Sequence, residues 1–289
     1  MRTLWNIPTK AQSCASKEEP MADYLNSISL TGVCASLAQA MGTERPAKAE
    51  NAIPALINLM KDNTASGRVD RIFMHNPDAV AMWLYQKYTE LFNDVVRHTQ
   101  LPLPLQSVMP SVTPVCFGTM YTGAAPSVHG IRSYVKPVIR IDTIFDVMIR
   151  AGKKVAVICD PDSSIGNIFL EREMDYFMYD DMEEITRKAL ELIDRDEHDM
   201  IVVYHKNYDS TMHKNGTEAE VSLQALKENV RDFDLFARAI KEKWQHHDTL
   251  IGFAMDHGCH DIDGGCGSHG LDMAEDLNIM HFYGVYPKK

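Results

Sequence analysis

The chain has 289 residues, 45% of them aliphatic, aromatic or cysteine and 24% charged, with a formal net charge of −11 at pH 7. That acidity argues against nucleic-acid binding through a basic face and leaves ample carboxylate to ligate divalent cations. No run approaches the roughly 18 apolar residues of a membrane helix, and the start "MRTLWNIPTKAQSC" lacks the apolar core of a secretory signal. A cytoplasmic setting is therefore expected, with the six cysteines as free thiols rather than a disulfide frame.

In chain order, the first twenty residues are polar and read as an irregular arm. "LTGVCASLAQAMG" reads as a helix stopped at Gly42, and "NAIPALINLMKDN" as another with Pro54 in its first turn. The expected division is a helical arm or cover over residues 1–66, packed on the main domain, and an α/β catalytic domain over 67–289. "RVDRIFMHN" is a short strand, and "AVAMWLYQKYTELFNDVVRHT" an amphipathic stretch. "TIFDVMIRAG" is a helix ending at Gly152, followed by the strand "KVAVICD". "MEEITRKALELIDRD" (helix), "DMIVVYH" (strand), "QALKENVRDFDLFARAIKEKWQ" (helix) and "TLIGFAMD" (strand) continue the alternation, and "LNIMHFYGVYP" supplies a last strand. Solidly apolar strands alternating with helices predict a doubly wound, mostly parallel sheet with helices on both faces.

Each chemical cluster follows an apolar strand. Asp78 follows "RIFMHNP", Asp209 and His213 follow "MIVVYHKNY", and Asp256 and His257 close "TLIGFAM". The carboxyl ends of the strands form the ligand crevice of an open α/β sheet, so these separated clusters are expected to converge on one edge. Aspartate and neutral imidazole are ligands for zinc and related ions. Asp209 and His213, four residues apart, would share a helical face. Asp256 and His257 are adjacent, and on an extended chain end they would point apart and serve two ions. His269 lies beyond a glycine-rich loop that can bend back. Gly265, Gly267 and Gly270 also spell G-x-G-x-x-G, but the strand ends too early and no partner acid fits before Lys289. Cys259 and Cys266 lack the spacing of a structural zinc site.

"MPSVTPVCFGTMYTGAAPSVHGI", residues 109–131, reads as a loop and a small-residue helix. A nucleophile at that helix start would meet free N–H groups and the helix dipole, which favour a phosphoryl anion. Ser111, Thr113 and Cys116 are the candidates. A threonine hydroxyl is weak alone and gains nucleophilicity beside a divalent metal.

These residues carry a family likeness. Thr113 stands nine residues before Thr122-Gly123, "PSVHGI" follows, and "DSTMH", "MDHG" and "GSHG" come later in that order. The sequence resembles the alkaline phosphatase superfamily, in particular its nucleotide pyrophosphatase/phosphodiesterase branch, from about Arg71 onward. The resemblance implies a two-metal phosphoryl-transfer site. Asp209, His213 and His269 would hold one ion, and Asp78, Asp256, His257 and the Thr113 oxygen the other. Thr113 would be the nucleophile, with a phospho-threonine intermediate that water cleaves. The family's first ligand sits in "DG"; here the sequence is "NPDA", so Asp78 has Asn76 as its alternative. Cys116 occupies a substrate-binding position. The sulfatase signature C-x-P-S-R is absent. Two divalent cations are expected, Zn²⁺ ahead of Mn²⁺. The expected function is hydrolysis of a small phosphorylated substrate, a diester or pyrophosphate ahead of a monoester. A phosphomutase or phosphotransferase on the same site, and a non-catalytic metal-binding relative with an incomplete second ion site, are the alternatives. No membrane partner is expected, and the oligomeric state is left open.

Overall fold

The computed structural model describes residues 24–289, so the irregular arm expected over the first twenty residues lies outside the described residues. The main sheet has seven strands: β1 Arg71–Pro77, β2 Leu101–Gln106, β3 Val155–Cys159, β4 Asp175–Met178, β5 Met200–His205, β6 Thr249–Phe253 and, after a small hairpin, β9 Asn278–Tyr286. Their order is β2-β9-β6-β1-β5-β3-β4. The pairs among β6, β1, β5, β3 and β4 are parallel. β9 is antiparallel to both its neighbours, β6 and β2. The hairpin joins β7 His260–Ile262 to β8 Cys266–Ser268, and turns at Gly264 and Gly265, both with positive φ. The G-x-G-x-x-G glycines thus belong to a hairpin and not to a strand-to-helix phosphate loop.

The period-two alternation of the strands builds two cores, one on each face. Ile72, Met74, Val155, Val157, Met200 and Val202 face one; Phe73, Ala156, Ile158, Ile201 and Val203 face the other. The first face is covered by α1 Gly32–Ala40, α2 Pro54–Asn63, α5 Thr113–Thr122, α7 Ile144–Arg150 and α8 Ser164–Ile168. The second carries α3 Met82–Lys87, α4 Asn93–His98, α9 Met182–Arg195, α10 Asn207–Asn215 and the long α11 Glu220–Lys243. Two short helices, α6 Pro126–His129 and α12 Ala274–Leu277, complete the set. Leu37, Leu56 and Met60 from α1 and α2 are fully buried in the first core. At about 1.5–3 kcal/mol per large apolar side chain, these helices are part of what holds that face of the sheet.

The single amphipathic stretch expected over residues 79–99 is broken in three, with a 3₁₀ turn at Thr89–Phe92 between α3 and α4. Among the described residues, Cys34, Cys116, Cys159, Cys259 and Cys266 are unpaired. No helix among them is long and apolar enough to cross a membrane.

Candidate active site

Two groups of three residues meet at the carboxyl ends of the parallel strands. Within Asp78, Asp256 and His257, and within Asp209, His213 and His269, the ligand-type atoms all lie within 4.8 Å of one another. The chain delivers the first group directly from strands. Asp78 is the residue after β1, and its amide donates to the His205 carbonyl at the end of β5 at 3.0 Å. Asp256 and His257 follow β6, tied to β1 by the Ala254 amide on the His75 carbonyl at 2.9 Å. The second group is delivered by a helix and the hairpin. α10 starts just after β5, placing Asp209 in its first turn, where the helix dipole favours a carboxylate, and His213 one turn on. Gly267 packs against Met212 so closely that a Cβ there would run into its sulfur. The hairpin therefore lies flat on α10 and carries His269 to His213, Nε2 to Nε2 at 3.1 Å. The His257 and His269 rings stack at 4.1 Å between centroids and join the two groups.

The histidines share one orientation. Nδ1 of His213, His257 and His269 each faces a backbone carbonyl, that of Gly267 at 3.0 Å, Gly258 at 2.9 Å and Ser111 at 2.9 Å. A carbonyl only accepts, so Nδ1 carries the proton and the neutral ring turns a lone pair outward at Nε2. Those lone pairs face carboxylate oxygens: His213 and His269 lie 3.2 and 3.5 Å from Asp209 Oδ1, and His257 lies 3.4 Å from Asp78 Oδ1 and 3.3 Å from Asp256 Oδ2. The same three oxygens are buried and take part in no hydrogen bond. Lone pairs converging on orphaned carboxylate oxygens, in a shell that has already used every Nδ1–H, fit a divalent cation in each group.

The charges respond to this crowding. Burial raises the Asp78 carboxyl to about 7, and the nearby charge of Asp209 adds to it. Asp256 is pushed well above the carboxylate range, first by burial and then by Asp78. Burial works upward on Asp209 too, but His213 and His269 beside it hold it below its ordinary value. His213 is raised, first by the Asp209 carboxylate beside it. His269 is also raised, because Asp209 outweighs burial, whereas His257 is driven well below the usual imidazole value by burial.

Thr113 is the first residue of α5 and is 4% exposed, its hydroxyl 3.4 Å from His257 Nε2. Two features hold α5. At its end Gly123 takes φ +71°, and a Cβ there would fall 2.6 Å from Ala49. Midway, the His129 ring lies against Gly118, where a Cβ would meet it at 2.9 Å. Burial lowers His129 to about 4, so it is neutral; its Nδ1 accepts from the Ile131 amide at 3.3 Å and its Nε2 donates to Thr119 Oγ1 at 3.0 Å. The "PSVHGI" motif thus braces the helix that presents Thr113.

Several expectations are corrected. Asp256 and His257 do not diverge; the chain bends after β6 and both enter one group. Asn76 is no ligand alternative, since its amide nitrogen donates to the Ala254 carbonyl at 2.6 Å and its oxygen accepts from Tyr121 at 2.6 Å. Cys116 is fully buried in the first core, its sulfur 3.2 Å from the Ser107 hydroxyl, and has no surface to offer a substrate. Burial pushes its thiol upward, which removes it as nucleophile as well. The ring of free N–H groups expected at the α5 start is mostly spent: Val115 and Cys116 donate to Val112, and Pro114 has none. Ser111 is buried, with its hydroxyl directed at the Leu271 carbonyl. Sequence reading missed Tyr204, whose hydroxyl donates to Asp78 Oδ2 from the buried face of β5. It also missed Ser107, which donates to the Asp256 carbonyl at 2.6 Å. Both stand at strand ends, the one signal that could have found them.

The family described as Type I phosphodiesterase / nucleotide pyrophosphatase matches residues 78–282. Among solved structures, human ectonucleotide pyrophosphatase/phosphodiesterase 5 is similar, with a TM-score of 0.60 at 12% identity over 74% of this chain and 87% of that one. The murine protein of the same name gives 0.54 at 15% identity, over 67% of this chain. An inactive threonine-to-alanine form of the murine protein in complex with AMP gives 0.54 at 15% identity, over 68% of this chain. The chain spans 58% of the length of the murine protein. No curated protein matches it.

Proposed function

The chain belongs to the type I phosphodiesterase / nucleotide pyrophosphatase family and is a phosphoric ester hydrolase; from that premise we propose that it cleaves phosphodiester or pyrophosphate bonds with Thr113 as nucleophile beside two divalent cations. The observation that carries this reading is the Thr113 hydroxyl at the edge of two Asp/His groups whose free lone pairs converge. Asp78, Asp256 and His257 would hold one cation, with the Thr113 oxygen next to it, and Asp209, His213 and His269 the other. Such a pair would supply Lewis acidity at the reacting phosphoryl group. Zn²⁺ suits the Asp/His donor set best, with Mn²⁺ second.

The chain's own residues do the rest. His129 and Gly118 fix α5, so the Thr113 oxygen is aimed rather than mobile. The three backbone carbonyls fix the imidazole tautomers, and Tyr204 and the Ala79 amide, 3.3 Å from Asp256 Oδ1, orient the buried carboxylates. The Thr113 oxygen would bond phosphorus in line as the bond to the alcohol or phosphate opposite breaks, the threonine proton passing through solvent to the departing oxygen; water would then bond phosphorus as the Thr113 oxygen leaves and takes back a proton from that water. The AMP in the inactive murine structure supports a nucleotide-sized substrate. We treat residues 67–289 as the catalytic unit and 24–66 as its cover. The free thiols agree with a reducing, cytoplasmic setting.

The test is turnover of aryl phosphodiester and phosphomonoester probes by metal-loaded protein and by Thr113→Ala. The reading expects diester turnover that vanishes in the variant while metal content stays. Full activity of the variant would exclude Thr113.

A further inference from the structure

One charge pair at the catalytic edge of the sheet, a buried carboxylate and a half-open ammonium, has no task in this scheme. Asp160 follows β3 and is 1% exposed. Lys206 follows β5, three residues ahead of Asp209. The Lys206 ammonium donates to Asp160 Oδ1 at 2.8 Å, while Asp160 Oδ2 is buried without a hydrogen-bond partner. β3 neighbours β5, and β5 neighbours β1, whose end carries Asp78. At about 4.8 Å between strands, the pair lies beside the two Asp/His groups on the β3 side. A buried carboxylate with one ion pair and one orphaned oxygen contributes little to stability, so stability alone does not account for it.

The Lys206 side chain is 38% exposed, so Asp160 holds its ammonium from one side and leaves the other open. The segment after α6 is tied to the turn that follows Asp160: Lys136 Nζ donates to the Asp162 carbonyl and stands 5.4 Å from the exposed ring of Tyr134.

We propose that Lys206, positioned by Asp160, is a specificity-determining cation that contacts the substrate beyond the reacting phosphoryl group and favours a second anionic group there, a pyrophosphate over a simple diester. This rests on the assignment of Thr113 and the two Asp/His groups above. An ammonium on a flexible stem is a point-charge donor suited to phosphate oxygens. In a chain of net charge −11, with Asp78, Asp160, Asp209 and Asp256 around the crevice, a more highly charged substrate needs such a local cation more than a monoanionic diester does.

The test compares Lys206→Met, Lys206→Arg and Asp160→Asn in the full chain, on a dinucleoside pyrophosphate and on bis(p-nitrophenyl) phosphate, with metal content and Tm followed. Lys206→Met should lower kcat/KM for the pyrophosphate by about tenfold more than for the aryl diester, mainly through KM. Lys206→Arg should recover most of that ratio, and Asp160→Asn should lose part of it. If both substrates fall by one common factor together with Tm, the pair is only structural. If the substrate ratio does not move, the proposal is also wrong. Thr113→Ala serves as the control for the underlying reading: it should remove turnover of both substrates, and its failure to do so would overturn that reading and not the charge preference.

Discussion

The two Asp/His groups use the same residue types and are built in opposite ways. Asp78, Asp256 and His257 come off strand ends and are at most 2% exposed. Asp209, His213 and His269 come off a helix and a hairpin, and the His213 side chain is 40% exposed. Burial pushes the two acids of the first group upward, whereas the acid of the second is held down by its imidazoles. The buried group is thus frustrated without a cation, two carboxyls crowding each other in low dielectric. The half-open group can neutralise itself with a proton on an imidazole. The difference teaches that the first should hold its ion tightly and release it slowly, and that the second should exchange with solvent.

The sharpest way to break this contrast is to remove one ligand from each group. Asp256→Ala should leave a buried, uncompensated site beside Thr113 and lower kcat by about 10³-fold or more, without rescue by added metal. His213→Ala should cost about 10–100-fold in metal affinity, and millimolar zinc or manganese should restore much of the rate. Metal-dependence curves for the two variants decide the matter; identical rescue of both would erase the distinction. Tyr204→Phe probes the buried group more gently. Losing its bond to Asp78 should weaken metal affinity by about tenfold, measured by competition with a chromophoric chelator.

The smallest effect is on stability. In metal-free protein the folded state holds protons on Asp78 and Asp256 that the unfolded chain has released, because their folded values are raised. A raised acid stabilises the fold while it is protonated in it, and for Asp78 that contribution is lost as pH rises through about 7. The imidazoles with lowered values oppose this near pH 6.5, but by about pH 7.5 they are neutral in both states. As pH rises from the ordinary carboxylate range to about 7 the chelated protein should therefore lose unfolding free energy through Asp78, by at most ~1.4 kcal/mol per pH unit, with the imidazoles offsetting part of it below about 6.5. Bound metal should flatten that slope, and denaturant titrations with and without chelator would show it.

The same contrast explains what was legible in the sequence. β1, β5 and β6 read clearly because strands buried on both faces carry short continuous apolar runs, "IFM", "MIVVY" and "LIGF". The convergence of Asp78, Asp209 and Asp256 followed, since each stands just past one of those strands. β2 did not read as a strand, because Pro102 and Pro104 interrupt "LPLPLQ". It forms at the edge of the sheet against β9 alone among the named strands, where a missing N–H is tolerated. The antiparallel direction of β9 left no mark in its composition. Within the site, the ligand types were visible, but the grouping of Asp256 with His257 depended on a bend after β6. Cys116 stands one turn on from Thr113 on the same side of α5, but every residue of that helix is buried, and the Cys116 sulfur ends against Ser107 with no surface of its own. The carbonyls that set the imidazole tautomers belong to residues with no side-chain signature, so no pattern could announce them.

The central claim is that both groups hold a cation and that Thr113 lies beside them. Anomalous diffraction from crystals grown with zinc tests this most directly. The account predicts two peaks, one enclosed by Asp78, Asp256 and His257 next to the Thr113 oxygen, the other by Asp209, His213 and His269. A single peak under zinc-saturating conditions, or peaks away from these six side chains, would contradict it.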